Sequence, residues 1–279
     1  MINGRYRKLV EAYKKSDQKK LTVERRKLEK RYADFIKSSQ HFYKCFIQRL
    51  ASLYPGNYGL RRIANRLQLS TLSVEKGTPL DATMEQKLEM SCYTTLLRLG
   101  DLSRYRNGLR TKDSSWATAI GYYKLAHDLL PELGSAHNQL AVIATYESDH
   151  LTAVYHTYRG ITAIEPLKDH GNNLEVAFNK IISGFANSRL GNQAKNDSMT
   201  TLINWFTLLH AKFYKGVEFA TQKELENEVL TRLTLLIKDQ KQNVESVLDK
   251  IVNINIAAEY FASKKMSGKL SCSYFRMVD

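Results

Sequence analysis

Apolar side chains recur at helical spacing along almost the whole chain. Tyr6, Leu9, Val10 and Tyr13 share one face of a short first helix, which the polar pair Ser16-Asp17 interrupts. Leu21, Leu28, Tyr32, Phe35, Phe42, Phe46, Ile47 and Leu50 then keep a three-four-seven rhythm, which predicts a long helix down to Tyr54 with these residues on its inner face. YPGNYG stops it, because Pro55 has no amide to donate and the glycines permit a turn. Residues 57–83 are mixed. LSVEKGTPLDAT reads as a loop, with Thr78 or Asp81 available to cap a helix running from Met84 to Asn107. No stretch of note alternates with the two-residue period of a strand, so the predicted fold class is all-α.

From residue 84 onward the helices come in pairs. In WATAIGYYKLAHDLLP, Ala119, Tyr123 and Ala126 precede Pro131 by 12, 8 and 5 positions. Those offsets match the second helix of a tetratricopeptide repeat, where small residues let helices approach and the proline closes the unit. Leu99-Gly100 matches the first helix. SAHNQLAVIATYESDHLTAVYHTYRGITAIEP supplies another pair, with Tyr158 where Tyr123 stood, and Pro131 to Pro166 is 35 residues. RNGLRTKDSSW is longer than such a repeat needs and reads as an inserted loop. Further helices are predicted in LEVAFNKIISGFANSRL, MTTLINWFTLLHAKFYKG, KELENEVLTRLTLLIKDQ and VESVLDKIVNINIAAEYFA, with GNQAKNDS as a polar joint.

Charge changes the picture. The net charge of +14 is segregated: residues 1–66 hold 18 Lys/Arg against 5 Asp/Glu, and the remainder is nearly balanced. Such a block is the footprint of a polyanionic partner, although any single lysine in it is equally well explained as solvated surface. Tyr32, Tyr43, Tyr54 and Tyr58 lie among the basic residues, an arrangement in which their rings would stack on the bases of a nucleic acid. The basic helices show no exposed Trp or Phe ridge of the kind that seats on a membrane. Cys45, Cys92 and Cys272 have no paired or metal-type spacing, which fits a reducing compartment. No apolar run reaches the ~18 residues of a membrane span.

The signatures of catalysis are missing as well. Seven histidines are scattered without His-x-x-x-His spacing, and neither a phosphate-cradling glycine loop nor a Gly-x-Ser-x-Gly elbow occurs. The expectation is a binding protein with no catalytic residue, no metal and no cofactor.

The stretch LLRLGDLSRYRN carries the best candidate site. Tyr93, Leu97, Gly100 and Arg104 share one side of the helix, and Asp101 sits one turn before Arg104 and Tyr105. Arg106 points about 200° away from Arg104. A guanidinium held by a carboxylate is a structural ion pair at a helix end, the plainer reading. Its fixed fork of donors also suits a phosphate.

With the helices behind it, this motif set resembles the Ever Shorter Telomeres telomerase subunits and their nonsense-mediated mRNA decay relatives. The matching features are Gly-Asp-x-x-Arg-Tyr-Arg, Tyr-Tyr, His-Asn-Gln-Leu-Ala and Asp-His-Leu, then HAKFYKG and IVNINIAAEYFA. The resemblance implies a 14-3-3-like stack of tetratricopeptide-type hairpins over residues 1–190. The start of a helical hairpin bundle over 191–262 and a loose tail over 263–279 complete the expected organisation. It implies a phosphoserine-peptide groove with Arg104 and Tyr105 as phosphate ligands and Arg7 from the first helix as the second cation. Arg5, Lys8, Arg106 and Asn138 are possible additional contacts, Asn138 as a peptide-backbone ligand or as a packing amide. The implied partners are a phosphorylated RNA helicase of mRNA decay, or telomerase RNA, protein subunits and single-stranded DNA, in nucleus and cytoplasm.

Three functions compete on these residues. An adaptor gripping phosphoserine predicts that Arg104→Glu abolishes binding and leaves the fold intact. A nucleic-acid binder predicts affinity that falls steeply with salt. A pure scaffold predicts that changing Arg104 costs stability alone.

Overall fold

The computed structural model describes residues 2–15, 22–73, 80–109, 115–166, 170–186, 198–216, 221–239 and 244–266. Among them are eleven helices: α1 (Ile2–Lys15), α2 (Thr22–Leu53), α3 (Tyr58–Arg66), α4 (Ala82–Asn107), α5 (Ala117–Leu129), α6 (Ser135–Tyr146), α7 (His150–Ile161), α8 (His170–Ala186), α9 (Ser198–Lys215), α10 (Gln222–Asp239) and α11 (Val244–Met266). The described residues contain no strand. One isolated parallel bridge, Leu133 to Glu165, ties the two ends of the α6–α7 hairpin.

The chain divides into two compact units, residues 1–130 and 131–279. The boundary expected near residue 190 falls in 187–197, outside the described residues. Of the expected loose tail, 263–266 continue α11, and 267–279 also lie outside.

In the first unit, α4 pairs with α5 and packs on α2, which carries α1 and α3. The capping chemistry explains the boundaries. Asp81, rather than Thr78, starts α4, its Oδ1 accepting the Met84 amide at 2.7 Å. Asn57 does the same for α3, accepting from Leu60 N at 2.7 Å. That nine-residue helix lies inside the stretch read above as mixed. It buries Leu60 and Ile63 completely, and Ala64 with them.

The rhythm of α2 needs correction. Tyr32, Ile36 and Ile47 form its buried face, whereas Phe42 is 64% exposed and Phe46 37%. Phe42 precedes Tyr43 by one residue, and Phe46 precedes Ile47 likewise. Each therefore sits about 100° around the helix from the inner face. The basic helix does present a Phe ridge.

In the second unit, α7 runs against α6, α8, α9 and α11. Val154 and Tyr158 of α7 pack with Leu174 and Phe178 of α8, Leu202 of α9 and Ile254 and Ala258 of α11, all nearly solvent-free.

His210 of α9 is enclosed in this core. Its ring lies 4.5 Å from that of Phe206, and its Nε2 is 3.0 Å from Asn255 Oδ1. Burial lowers its pKa to about 4, against a smaller opposing effect of the Asn255 bond. The unfolded chain takes up this proton below pH 6.5, and the folded chain resists it until about pH 4. Stability present at pH 7 is therefore lost as pH falls through that window, by about 3 kcal/mol in total. Urea unfolding followed by Trp205 fluorescence, in a Trp116→Phe background, should show this slope. His210→Gln should be less stable at pH 7 and lose the slope.

Candidate phosphate-binding site

The site is built by α1, α2, α4 and α5, all within the first unit. At its base α4 packs tightly on α5. A Cβ on Gly100 would stand 2.3 Å from Cε1 of Tyr123, a distance no real contact reaches. Only glycine lets the fully buried Tyr123 ring lie against the α4 backbone.

From that position the Tyr123 hydroxyl donates to Asp101 Oδ1 at 2.8 Å, and Arg104 Nη2 donates to the same oxygen at 2.9 Å. Asp101 therefore holds the guanidinium from one side while Tyr123 holds Asp101. The Arg104 side chain is 15% exposed and that of Asp101 31%. Burial alone would weaken the arginine's hold on its proton. The Asp101 hydrogen bond and the Tyr123 oxygen outweigh it, so Arg104 stays a cation. Burial, reinforced by the Asp101 charge, raises the Tyr123 hydroxyl well above the ordinary tyrosine value and keeps it a neutral donor.

Tyr105 projects beside this pair. The Arg104 guanidinium carbon lies 5.0 Å from the centre of its ring, and that of Arg7, arriving from α1, lies 4.7 Å from it. Both distances are within cation–π range. Arg7 reaches this position because Tyr6 anchors α1: its ring stacks on Tyr32 at 5.2 Å and on Phe35 at 5.6 Å. Val10 is buried one turn later. Burial pushes the Tyr32 hydroxyl up to about 12, with Arg7 opposing. Gln40 of α2 donates to Ser103 Oγ at 2.9 Å, fixing α4 from its other side.

The three sequence-predicted phosphate ligands thus meet around one ring. Arg5 and Lys8 are exposed on α1, and Arg106 is exposed on α4, turned away from Arg104. Asn138 belongs to α6 in the second unit, where its Oδ1 accepts from Asn173 Nδ2 at 2.7 Å. Tyr32, offered as a base-stacking residue, is 2% exposed and structural.

Two residues were missed as site builders. Tyr123 read only as a packing position, and Tyr6 only as an apolar face. Neither role leaves a local signal, since each depends on a different helix. Among the described residues no group of three His, Cys, Asp or Glu side chains is placed to hold a metal. None of the described helices is long and apolar enough to cross a membrane.

Comparison with known proteins agrees with this architecture. The model of the Est1 DNA/RNA binding domain matches residues 119–277, and that of the telomerase activating protein Est1 matches residues 1–110. The nonsense-mediated mRNA decay factor SMG7-like of Arabidopsis thaliana is 34% identical over 148 residues, 52% of this chain and 14% of that protein. The telomere elongation protein est1 of Schizosaccharomyces pombe is 25% identical over 160 residues, 54% of this chain and 33% of that protein. The chain therefore spans only a small part of these relatives. The crystal structure of Est1 and Cdc13 superposes with a TM-score of 0.70 at 14% identity, covering 92% of this chain and 52% of that one. At that identity the likeness is one of fold.

Proposed function

The chain belongs to the Est1 family, and on that footing we propose that it is a non-catalytic adaptor whose 14-3-3-like groove binds phosphoserine peptides. It acts in nonsense-mediated mRNA decay or telomere maintenance, in nucleus and cytoplasm, with a phosphorylated protein such as an RNA helicase of mRNA decay as its partner. One observation carries the reading: Arg7 and Arg104, on helices far apart in sequence, both lie within 5.0 Å of the Tyr105 ring. Two guanidinium groups beside one phenol make a seat for a dianion, which charge-assisted hydrogen bonds from both would hold.

Calorimetry of the full chain against a phosphoserine peptide and its unphosphorylated counterpart tests this. The phosphopeptide should bind at least roughly 100-fold more tightly, and Arg7→Glu should weaken it tenfold or more. Arg7 is exposed, so circular dichroism of the variant should match the parent. Equal affinity for both peptides would remove the proposal.

The match to the Est1 DNA/RNA binding domain favours a second reading, contact with telomerase RNA or single-stranded telomeric DNA. It requires oligonucleotide binding that weakens steeply between low and physiological salt. Failure to bind at either salt would remove it.

A further inference from the structure

The 40 residues from Phe35 to Val74 contain no aspartate or glutamate, yet hold Lys37, Lys44, Arg49, Arg61, Arg62 and Arg66. The fold places part of this stretch on two exposed arcs of the packed helices α2 and α3 in the first unit. On α3, Leu60, Ile63 and Ala64 face inward, and Tyr58, Arg61, Arg62, Asn65 and Arg66 fall in one outward arc of about 140°. All five are exposed, Tyr58 at 73%. On α2, Phe42, Phe46 and Arg49 are likewise exposed and share an arc of about 60°.

None of Arg49, Arg61, Arg62 and Arg66 forms an ion pair among the described residues. Arg62 has a structural task, its Nη2 donating to the backbone carbonyl of Asp128 at 2.5 Å. Glu85 and Glu89 of α4 are occupied at the start of α3, where they accept from the buried Asn57 side chain. Exposed rings interleaved with unpaired arginines are what a single strand needs: flat faces for bases and cations for the phosphodiesters between them. An acidic peptide would seek sockets for its side chains, and rings this exposed form none. The Phe42–Phe46 ridge alone would also suit a bilayer, but the outward arc of α3 carries only Tyr58, Asn65 and arginines and offers no aliphatic side chain to insert.

We propose that Tyr58, Arg61 and Arg66 of α3, with Phe42, Phe46 and Arg49 of α2, form a binding surface for single-stranded RNA or DNA. This deepens the nucleic-acid reading by giving it a site that is separate from the phosphate seat and outside the segment matched by the DNA/RNA binding domain model.

The test is fluorescence anisotropy of the full chain with labelled ten-nucleotide oligo(U) and oligo(dT) across a salt series. Arg61→Glu/Arg66→Glu should weaken binding tenfold or more and flatten the salt slope by about one to two. Phe46→Ala/Tyr58→Ala should weaken it roughly fivefold or more with the slope unchanged. If the full chain binds and the charge pair alters neither affinity nor slope, the surface is overturned while the nucleic-acid reading stands. If the full chain does not bind, both fall. Competition by a Glu-rich peptide that is lost in the same variants would assign the surface to an acidic protein and overturn the proposal.

Discussion

Gly100→Ala is expected to destabilise the first unit by about 3 kcal/mol, a large cost for a single methyl group. The added carbon meets Cε1, Cδ1 and Cζ of Tyr123 at 2.3, 2.7 and 2.7 Å. Such contacts are relieved cheaply only when the neighbour is the loose end of a side chain. Tyr123 is not: its ring has no solvent exposure, and its hydroxyl is bound to Asp101 at 2.8 Å. Either α5 moves away from α4, or the ring leaves its rotamer and gives up the hydrogen bond. Urea denaturation followed by circular dichroism reads the loss. A double-mutant cycle identifies its origin, because Tyr123→Ala should cost several kcal/mol alone and far less in the Gly100→Ala background. Additive effects would show that the close approach of Gly100 to Tyr123 is not what glycine provides here.

The same contact shows what a linear reading captures. Leu99-Gly100 and the spacing of Ala119, Tyr123 and Ala126 expose the α4–α5 hairpin, because helix contact demands small residues at fixed intervals. The pairing of Arg104 with Asp101 is legible too, being one turn apart on one helix. Arg7 is different. Its approach to Tyr105 depends on Tyr6 stacking across Tyr32 and Phe35, a contact between separate helices that no local spacing encodes. In α2, a run that alternates aromatics with aliphatics offers two neighbouring faces of similar hydrophobicity. The helix chose Tyr32, Ile36 and Ile47 for its core and left Phe42 outside. For α3 the signal was present in Leu60, Ile63 and Ala64, but nine residues just after a Pro-Gly turn give periodicity little room to register. Asn138 was open to two readings, a peptide-backbone ligand or a packing amide, and its Oδ1 accepts from Asn173 within its own unit.

Arg104→Glu should abolish phosphopeptide binding, but the expectation that it leaves the fold untouched is corrected by the geometry. The side chain is largely buried against Asp101, so reversal sets two carboxylates together and removes the charge that opposes the first. A loss of about 3 kcal/mol is expected, which would lower binding on its own account. Arg104→Lys separates the two roles. It retains the cation for Asp101 but loses the planar fork, and should bind the phosphopeptide roughly tenfold more weakly with little change in melting temperature. Asp101→Asn is the complementary probe. It leaves the guanidinium charged and short of its carboxylate, so the free protein becomes less stable, and a bound phosphate then supplies the missing counter-charge. By linkage, saturating phosphopeptide should raise the melting temperature of Asp101→Asn by more than it raises that of the parent chain. Equal shifts in both, together with undiminished affinity in Arg104→Lys, would mean that the arginine serves the helix end and not a ligand.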